Sequence, residues 1–138
     1  MTKKVYDLEL LKLMNLFEKI TRSRLRDCFE MNETLFFILQ NGQIKRLKEK
    51  GFLDVPKLKR LLKREFKIIE FSENKLGFIK KAIFPLRADS IEQDEEEIIT
   101  IKANDTKTKG LLIGRNAKNL RNLEELARRY FEIKEIKV

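Results

Sequence analysis

The chain has 138 residues, 42% of them hydrophobic and 38% charged, with a formal net charge of +9 and an isoelectric point near 9.7. That length admits one ordinary domain or two very small ones, and ten Phe residues supply bulky groups for a core. With Cys28 as the only cysteine and no histidine, the composition excludes an internal disulfide framework, a Cys/His zinc site and the usual general base near neutral pH.

The basic surplus suits a polyanionic partner. The opening Met-Thr-Lys-Lys-Val-Tyr-Asp-Leu has no apolar signal core. No apolar run approaches the roughly 18 residues of a spanning helix, so a cytoplasmic protein with no membrane association is expected.

Residues 6–20 place Leu10, Leu13, Met14, Phe17 and Ile20 at helical spacing, with Asp7 positioned to cap the start. Residues 25–31 mix Arg26, Asp27 and Glu30 with Leu25, Cys28, Phe29 and Met31, which predicts a half-exposed strand. Asn32-Glu33 is a turn candidate. Residues 35–39, Leu-Phe-Phe-Ile-Leu, read as a buried strand that Asn41-Gly42 breaks. Ile44 and Leu47 lie on a short helix over 43–50, interrupted by Gly51. Pro56 suits the first turn of the next helix, whose face of Val55, Leu58, Leu61 and Leu62 runs through to Glu65. Residues 66–71, with Ile68 and Ile69, predict a strand, so the first half orders as α-β-β-α-α-β.

Ser72-Glu73-Asn74-Lys75 is a polar break, and the order then repeats. Leu76, Ile79, Ala82 and Ile83 form the inner face of a helix over 76–83 that Pro85 stops. Residues 87–91 predict a weak strand, 93–97 an acidic turn, 98–103 a stronger strand, and 133–138 a closing strand after two helices. Residues 64–71 precede the similar residues 129–136 by 65 positions, and the same offset pairs Val55 with Leu120, Leu58 with Leu123 and Leu61 with Leu126. Matching order and offset argue duplication, with domains at 1–73 and 74–138.

The two helices meet at 108–121. Leu111, Leu112 and Ile113 run into Gly114, polar Arg115 to Asn119 follow, and Leu120, Leu123, Ala127 and Tyr130 make one face of the second helix. A helix N-terminus presents N–H groups and a positive dipole end to an anion. Gly114, lacking Cβ, lets the backbone approach that anion; the alternative is a glycine that only ends the first helix. At the same offset, Glu49, Lys50, Gly51 and Phe52 stand for Gly114, Arg115, Asn116 and Ala117, so the first half has a carboxylate where the second has its glycine. Its charge remains: residues 45–67 hold ten Lys/Arg against three Asp/Glu, and 102–121 six against one. Solvated helix faces would account for either excess alone, but two excesses at equivalent positions favour one basic surface.

Residues 113–119, Ile-Gly-Arg-Asn-Ala-Lys-Asn, resemble the Gly-x-x-Gly loop of KH RNA-binding domains. The match is to the Ile-Gly-Arg-Asn-Gly form of the NusA transcription termination and antitermination factors, with Ala117 where the family's second Gly usually stands. Ala keeps the close approach but resists positive φ, which predicts somewhat altered geometry. The tandem layout is similar to short archaeal NusA-like proteins built of two KH domains. The resemblance implies an α+β fold of two tandem type II KH-like domains, each with a small three-stranded sheet packed by helices. It implies an RNA-binding transcription factor acting in elongation, pausing, termination or antitermination. Single-stranded RNA and RNA polymerase would be its partners, with no cofactor, metal or small-molecule substrate.

In this reading RNA crosses the Gly114 turn. N–H groups near Arg115 and Asn116 hold phosphates, while Lys109, Arg115, Lys118 and Arg121 neutralise them. Ala117 closes the turn, and Leu112, Ile113 and residues 99–103 line a groove for bases. Asn116 and Asn119 either read base edges or cap the second helix. Lys45, Arg46, Lys48, Lys50, Lys57, Lys59 and Arg60 form a secondary basic surface. The Phe residues sit mostly in apolar runs and read as core, with Phe52 the exception. The competing reading is a protein-interaction module that docks on RNA polymerase or the ribosome, with RNA binding secondary. An enzyme is disfavoured: no Gly-x-x-x-x-Gly-Lys loop or nucleophile elbow is present, and the acids at 94–97 read as a solvated turn rather than a metal cluster.

Overall fold

The computed structural model describes residues 7–138; the expected helix start at residue 6 and most of the N-terminal octapeptide lie outside the described residues. Contacts divide the chain into two compact units, Met1–Phe71 and Ser72–Val138. Both are α+β, each a three-stranded sheet packed by helices.

The first unit runs α1 (Leu8–Thr21), β1 (Leu25–Met31), β2 (Thr34–Leu39), α2 (Ile44–Glu49), α3 (Asp54–Leu62) and β3 (Phe66–Glu70). Asp7 caps α1, its carboxylate accepting from the Leu10 N–H at 2.8 Å. β1 and β2 form an antiparallel hairpin whose turn residues Asn32 and Glu33 have φ of 51° and 64°, the left-handed pair of a tight hairpin. β3 pairs in parallel with β2, Ile38 opposite Ile69. Alternation puts Leu35, Phe37 and Leu39 on one face of the sheet, where they join Phe17, Leu47 and Leu58 in the core. Phe17 and Phe37 stack with centroids 4.4 Å apart, an arrangement worth about 0.5–1.5 kcal/mol beyond burial. The buried Glu70 accepts from the Ile44 N–H at 2.9 Å, satisfying the start of α2.

Two expectations change here. β1 is more than half-buried, because Asp27, Cys28 and Phe29 are all enclosed. Leu61 is 52% exposed, since Leu58 fills the inward position on α3.

The second unit runs α4 (Lys75–Ile83), β4 (Ser90–Gln93), β5 (Ile98–Lys102), α5 (Thr106–Ile113), α6 (Lys118–Arg128) and β6 (Glu135–Lys137). β4 is antiparallel and β6 parallel to β5, so the strand order of the first unit recurs. Asn74 caps α4 through the Gly77 N–H at 2.8 Å. Phe78 is fully buried beneath Tyr130 and Phe131, at centroid distances of 5.4 and 5.7 Å, whereas Leu76 is only half-buried.

β4 begins at Ser90, later than the strand expected over 87–91, because its pairing starts where Ser90 meets Lys102. Gln93 therefore belongs to the strand, and the acidic turn is Asp94–Glu97, built by Asp94 Oδ1 accepting from Glu96 N at 2.8 Å and Ile98 N at 3.1 Å. The closing strand is shorter than the expected 133–138, although Ile133 is buried just before it. Nor is the 65-residue offset uniform. α6 starts 64 positions after α3, but β6 starts 69 after β3, because α6 is longer and the link to β6 wider.

Candidate nucleic-acid interface

Asp105 caps α5, accepting from the Thr108 N–H at 2.8 Å. Hydrogen bonds from the Thr108 side chain and backbone hold its carboxyl below the ordinary aspartate value. At its other end α5 stops at Gly114, where φ is 75° and ψ 173°, a combination open essentially to glycine alone. One 3-10 turn, Arg115–Ala117, follows, and within it Asn116 and Ala117 both take positive φ, 55° and 59°. α6 then starts at Lys118. Ala117 therefore adopts the positive φ that an alanine is expected to resist, a conformation that costs a non-glycine residue about 1–2 kcal/mol.

Arg115, Asn116, Lys118 and Lys109 are exposed around the turn, while Ile113, Gly114 and Ala117 are half-buried. Among the described residues no ion pair engages Lys109, Arg115 or Lys118. Arg121 differs. Its guanidinium donates to Glu124 Oε1 at 2.9 Å, and that contact raises its pKa further, so part of its charge is already balanced.

The glycine has a role that its sequence context did not indicate. A Cβ at Gly114 would lie 2.6 Å from Asn119 Cγ and 2.8 Å from Nδ2. The Asn119 amide fills that space and donates to the Leu111 carbonyl at 2.8 Å, satisfying one of the unpaired acceptors at the end of α5. Asn119 thus serves the first helix of the pair. Asn116 does not cap the second, because α6 starts after Ala117 with no side-chain cap bond. The proposed groove also changes: Leu112, Ile99 and Ile101 are at most 4% exposed and belong to the core. Leu111, 47% exposed, is the apolar side chain that α5 presents outward beside the turn.

In the first unit, Lys45, Arg46, Lys48, Lys50, Lys57, Lys59 and Arg60 are all exposed. Arg46 donates to the Arg22 carbonyl at 2.7 Å, and Lys50 lies 3.6 Å from Asp54. The turn between α2 and α3 repeats the left-handed pair at Gly51 and Phe52, with φ of 62° and 59°. It shares that left-handed φ pair with Asn116–Ala117, but Glu49, in place of Gly114, is still helical and the turn's hydrogen bonds differ, Phe52 N donating to Leu47 O. Phe52 packs against the core.

No protein-family model matches the chain. It is 27% identical over 133 residues to the probable transcription termination protein NusA of Methanocaldococcus jannaschii, spanning 94% of this chain and 72% of that protein. The protein of the same name from Thermoplasma acidophilum is 23% identical over 137 residues, 96% of this chain and 93% of its own length. The chain is similar to archaeal NusA. A third such protein, from Halobacterium salinarum, is 25% identical over 128 residues and covers 92% of each chain. Among solved structures, the crystal structure of APE1850 superposes with a TM-score of 0.71 at 23% identity, covering 96% of this chain and 99% of that one. That likeness establishes the shared fold.

Among the described residues no helix is long and apolar enough to cross a membrane. The sequence singles out Asn119, but as a base reader or a cap of the second helix; its bond to Leu111 is not foreseen there, because that partner lies across a turn whose path depends on three backbone conformations. Glu124 is the side chain that sequence reasoning misses, although it falls within the stretch of α6 that includes Leu123 and Leu126, where an uncompensated carboxylate is unexpected.

Proposed function

We propose that this protein is an RNA-binding transcription factor of the NusA type, acting in elongation, pausing, termination or antitermination and holding single-stranded RNA at the turn between α5 and α6. The domains read from sequence at 1–73 and 74–138, which correspond to the two compact units meeting at Phe71/Ser72, are then tandem type II KH-like domains, and RNA polymerase is the expected protein partner. The observation carrying this reading is the turn itself: Arg115, Asn116 and Lys118 are exposed on a backbone that Gly114, Asn116 and Ala117 fold back through positive φ. Successive N–H groups in such a conformation, next to a helix N-terminus, form a concavity suited to phosphate. Lys109 and Arg115 add charge, and Leu111 and Ile113 offer apolar surface beside it. The similarity to proteins named for transcription termination supports the same conclusion.

The test is fluorescent single-stranded RNA titrated at several salt concentrations, wild type beside Arg115→Ala/Lys118→Ala. Both residues are exposed, so the fold should persist. Each lost phosphate contact on a single strand removes about 0.7 from the slope of log affinity against log salt, so the double variant should lose about 1.4. An unchanged slope would mean that the overall positive charge binds diffusely.

Docking on RNA polymerase or the ribosome is the second reading. It is favoured by Leu53 and Leu61, 75% and 52% exposed at the start and end of α3 among Lys57, Lys59 and Arg60. Polymerase or ribosome binding without affinity for single-stranded RNA would establish it in place of the first.

A further inference from the structure

We infer that Asn119 is a positioning residue for the α5–α6 turn: its amide, seated where a Cβ of residue 114 would lie, holds the turn in its binding form without touching RNA. The inference rests on the RNA-binding reading above.

The argument begins with the backbone. Between Ile113 and Lys118 three residues take positive φ, Gly114 at 75°, Asn116 at 55° and Ala117 at 59°, and two of them are not glycine. Each non-glycine residue in the left-handed region costs free energy that its surroundings must offset. The turn's own backbone offers little: Ala117 N donates to Gly114 O at 3.2 Å and Lys118 N to Arg115 O. A direct link between the two helices is the Asn119 side chain, which reaches from the first turn of α6 back to the Leu111 carbonyl at 2.8 Å.

Its fit over Gly114 is close. Asn119 Cγ, Nδ2 and Cβ lie 2.6, 2.8 and 2.9 Å from the point a Cβ would occupy, so the amide and any side chain at 114 exclude one another. Glycine at 114 and asparagine at 119 are therefore one device: the first vacates a volume and the second fills it while satisfying a carbonyl at the end of α5. One of the two Nδ2 hydrogens is committed to Leu111, and that bond fixes the amide against the end of α5. The first unit supports this by contrast. Its turn has the same left-handed pair at Gly51 and Phe52, but Glu49 stands in place of Gly114, and Phe52 instead anchors that turn by packing on the core.

The test uses the whole protein and two independent readouts. In RNA-free protein, 15N relaxation of residues 114–117 should show Asn119→Ala lowering the backbone order parameters of the turn relative to wild type, with circular dichroism and the dispersion of other amides unchanged. In the RNA titration, Asn119→Ala should lose about three- to tenfold in affinity, the range of one lost hydrogen bond. Its salt slope should stay at the wild-type value, because Lys109, Arg115 and Lys118 remain. Asn119→Asp, which sets a carboxylate against the Leu111 carbonyl, should lose more. The inference is overturned if the order parameters of the turn do not move, even where affinity falls, since Asn119 would then act by contact. It is overturned equally if the turn loosens and affinity is unchanged. Wild-type protein that fails to bind single-stranded RNA would overturn the RNA reading, and the relaxation result would still decide whether Asn119 orders the turn.

Discussion

Glu124, 3% exposed, accepts the backbone N–H of Ile136 through Oε2 at 2.9 Å. Its other oxygen takes the Arg121 guanidinium, so one buried carboxylate ties α6 to the closing strand and balances a charge of the candidate interface. Glu124→Ala should destabilise the second unit by about 2–3 kcal/mol, because a buried N–H loses its acceptor. Glu124→Gln, which keeps an amide oxygen for Ile136, should cost roughly 1 kcal/mol. Denaturant unfolding, with hydrogen exchange at the Ile136 amide to localise the effect, would check both.

Gly114→Ala tests the space that Asn119 occupies. A φ of 75° with ψ of 173° penalises any side chain, and the new Cβ would meet the Asn119 side chain at 2.6–2.9 Å. The expected loss is about 2–3 kcal/mol. Adding Asn119→Ala removes the Cγ and Nδ2 contacts but not the backbone strain, so roughly 1 kcal/mol should return as a favourable coupling in the double-mutant cycle. Strictly additive losses would show that the clash is relieved by movement elsewhere.

Ala117→Gly should act in the opposite direction. The left-handed penalty on Ala exceeds the extra chain entropy of Gly, leaving a gain of about 0.5–1 kcal/mol. The same change at the equivalent position, Phe52→Gly, removes a ring packed on the first unit's core and should cost about 2 kcal/mol despite easing the same φ. Thermal unfolding of the two variants would therefore shift in opposite directions.

The Asp105 cap gives α5 an acid sensitivity. Its folded pKa is depressed, chiefly by the Thr108 side-chain and backbone hydrogen bonds. The cap's contribution is therefore present above the unfolded pKa and fades as pH falls through about 4 and below. The Thr108 amide resonance should move in that window in wild type and stay still in Asp105→Asn, whose side-chain oxygen still accepts but does not titrate.

Much of this was legible beforehand. The Asp7 cap, the Asn32-Glu33 turn and the continuous apolar run of β2 are local signals, set by residues a few positions apart, and the structure forms each as read. The order α-β-β-α-α-β follows from such signals in both halves. What escaped was set by distant partners. β4 starts at Ser90 because Lys102 fixes its register, and Leu112, Ile99 and Ile101 are buried in the core, closing the groove they were expected to line. Arg121 looked like a free cation until Glu124, one helical turn away, proved to be buried. At Gly114 the sequence context announced a special backbone correctly, while the reason for it lay in a side chain five residues on.

The two ladders of each sheet differ in how far apart their strands lie along the chain, and that difference has a kinetic consequence. β1 and β2 meet across the two-residue turn Asn32-Glu33, whereas β3 pairs with β2 only after α2, the Gly51 turn and α3 have been traversed. Hairpins close in roughly 1–10 μs, while pairing across a long crossover waits on loop closure. The second unit repeats this arrangement, so the turn proposed to meet RNA, between α5 and α6, lies inside the segment that must find its path before β6 can dock on β5. Substitutions at Asn116, Ala117 or Asn119 that loosen the turn should slow refolding as well as weaken binding, whereas changes on the hairpin's outer edge, such as at Glu30, should leave binding untouched.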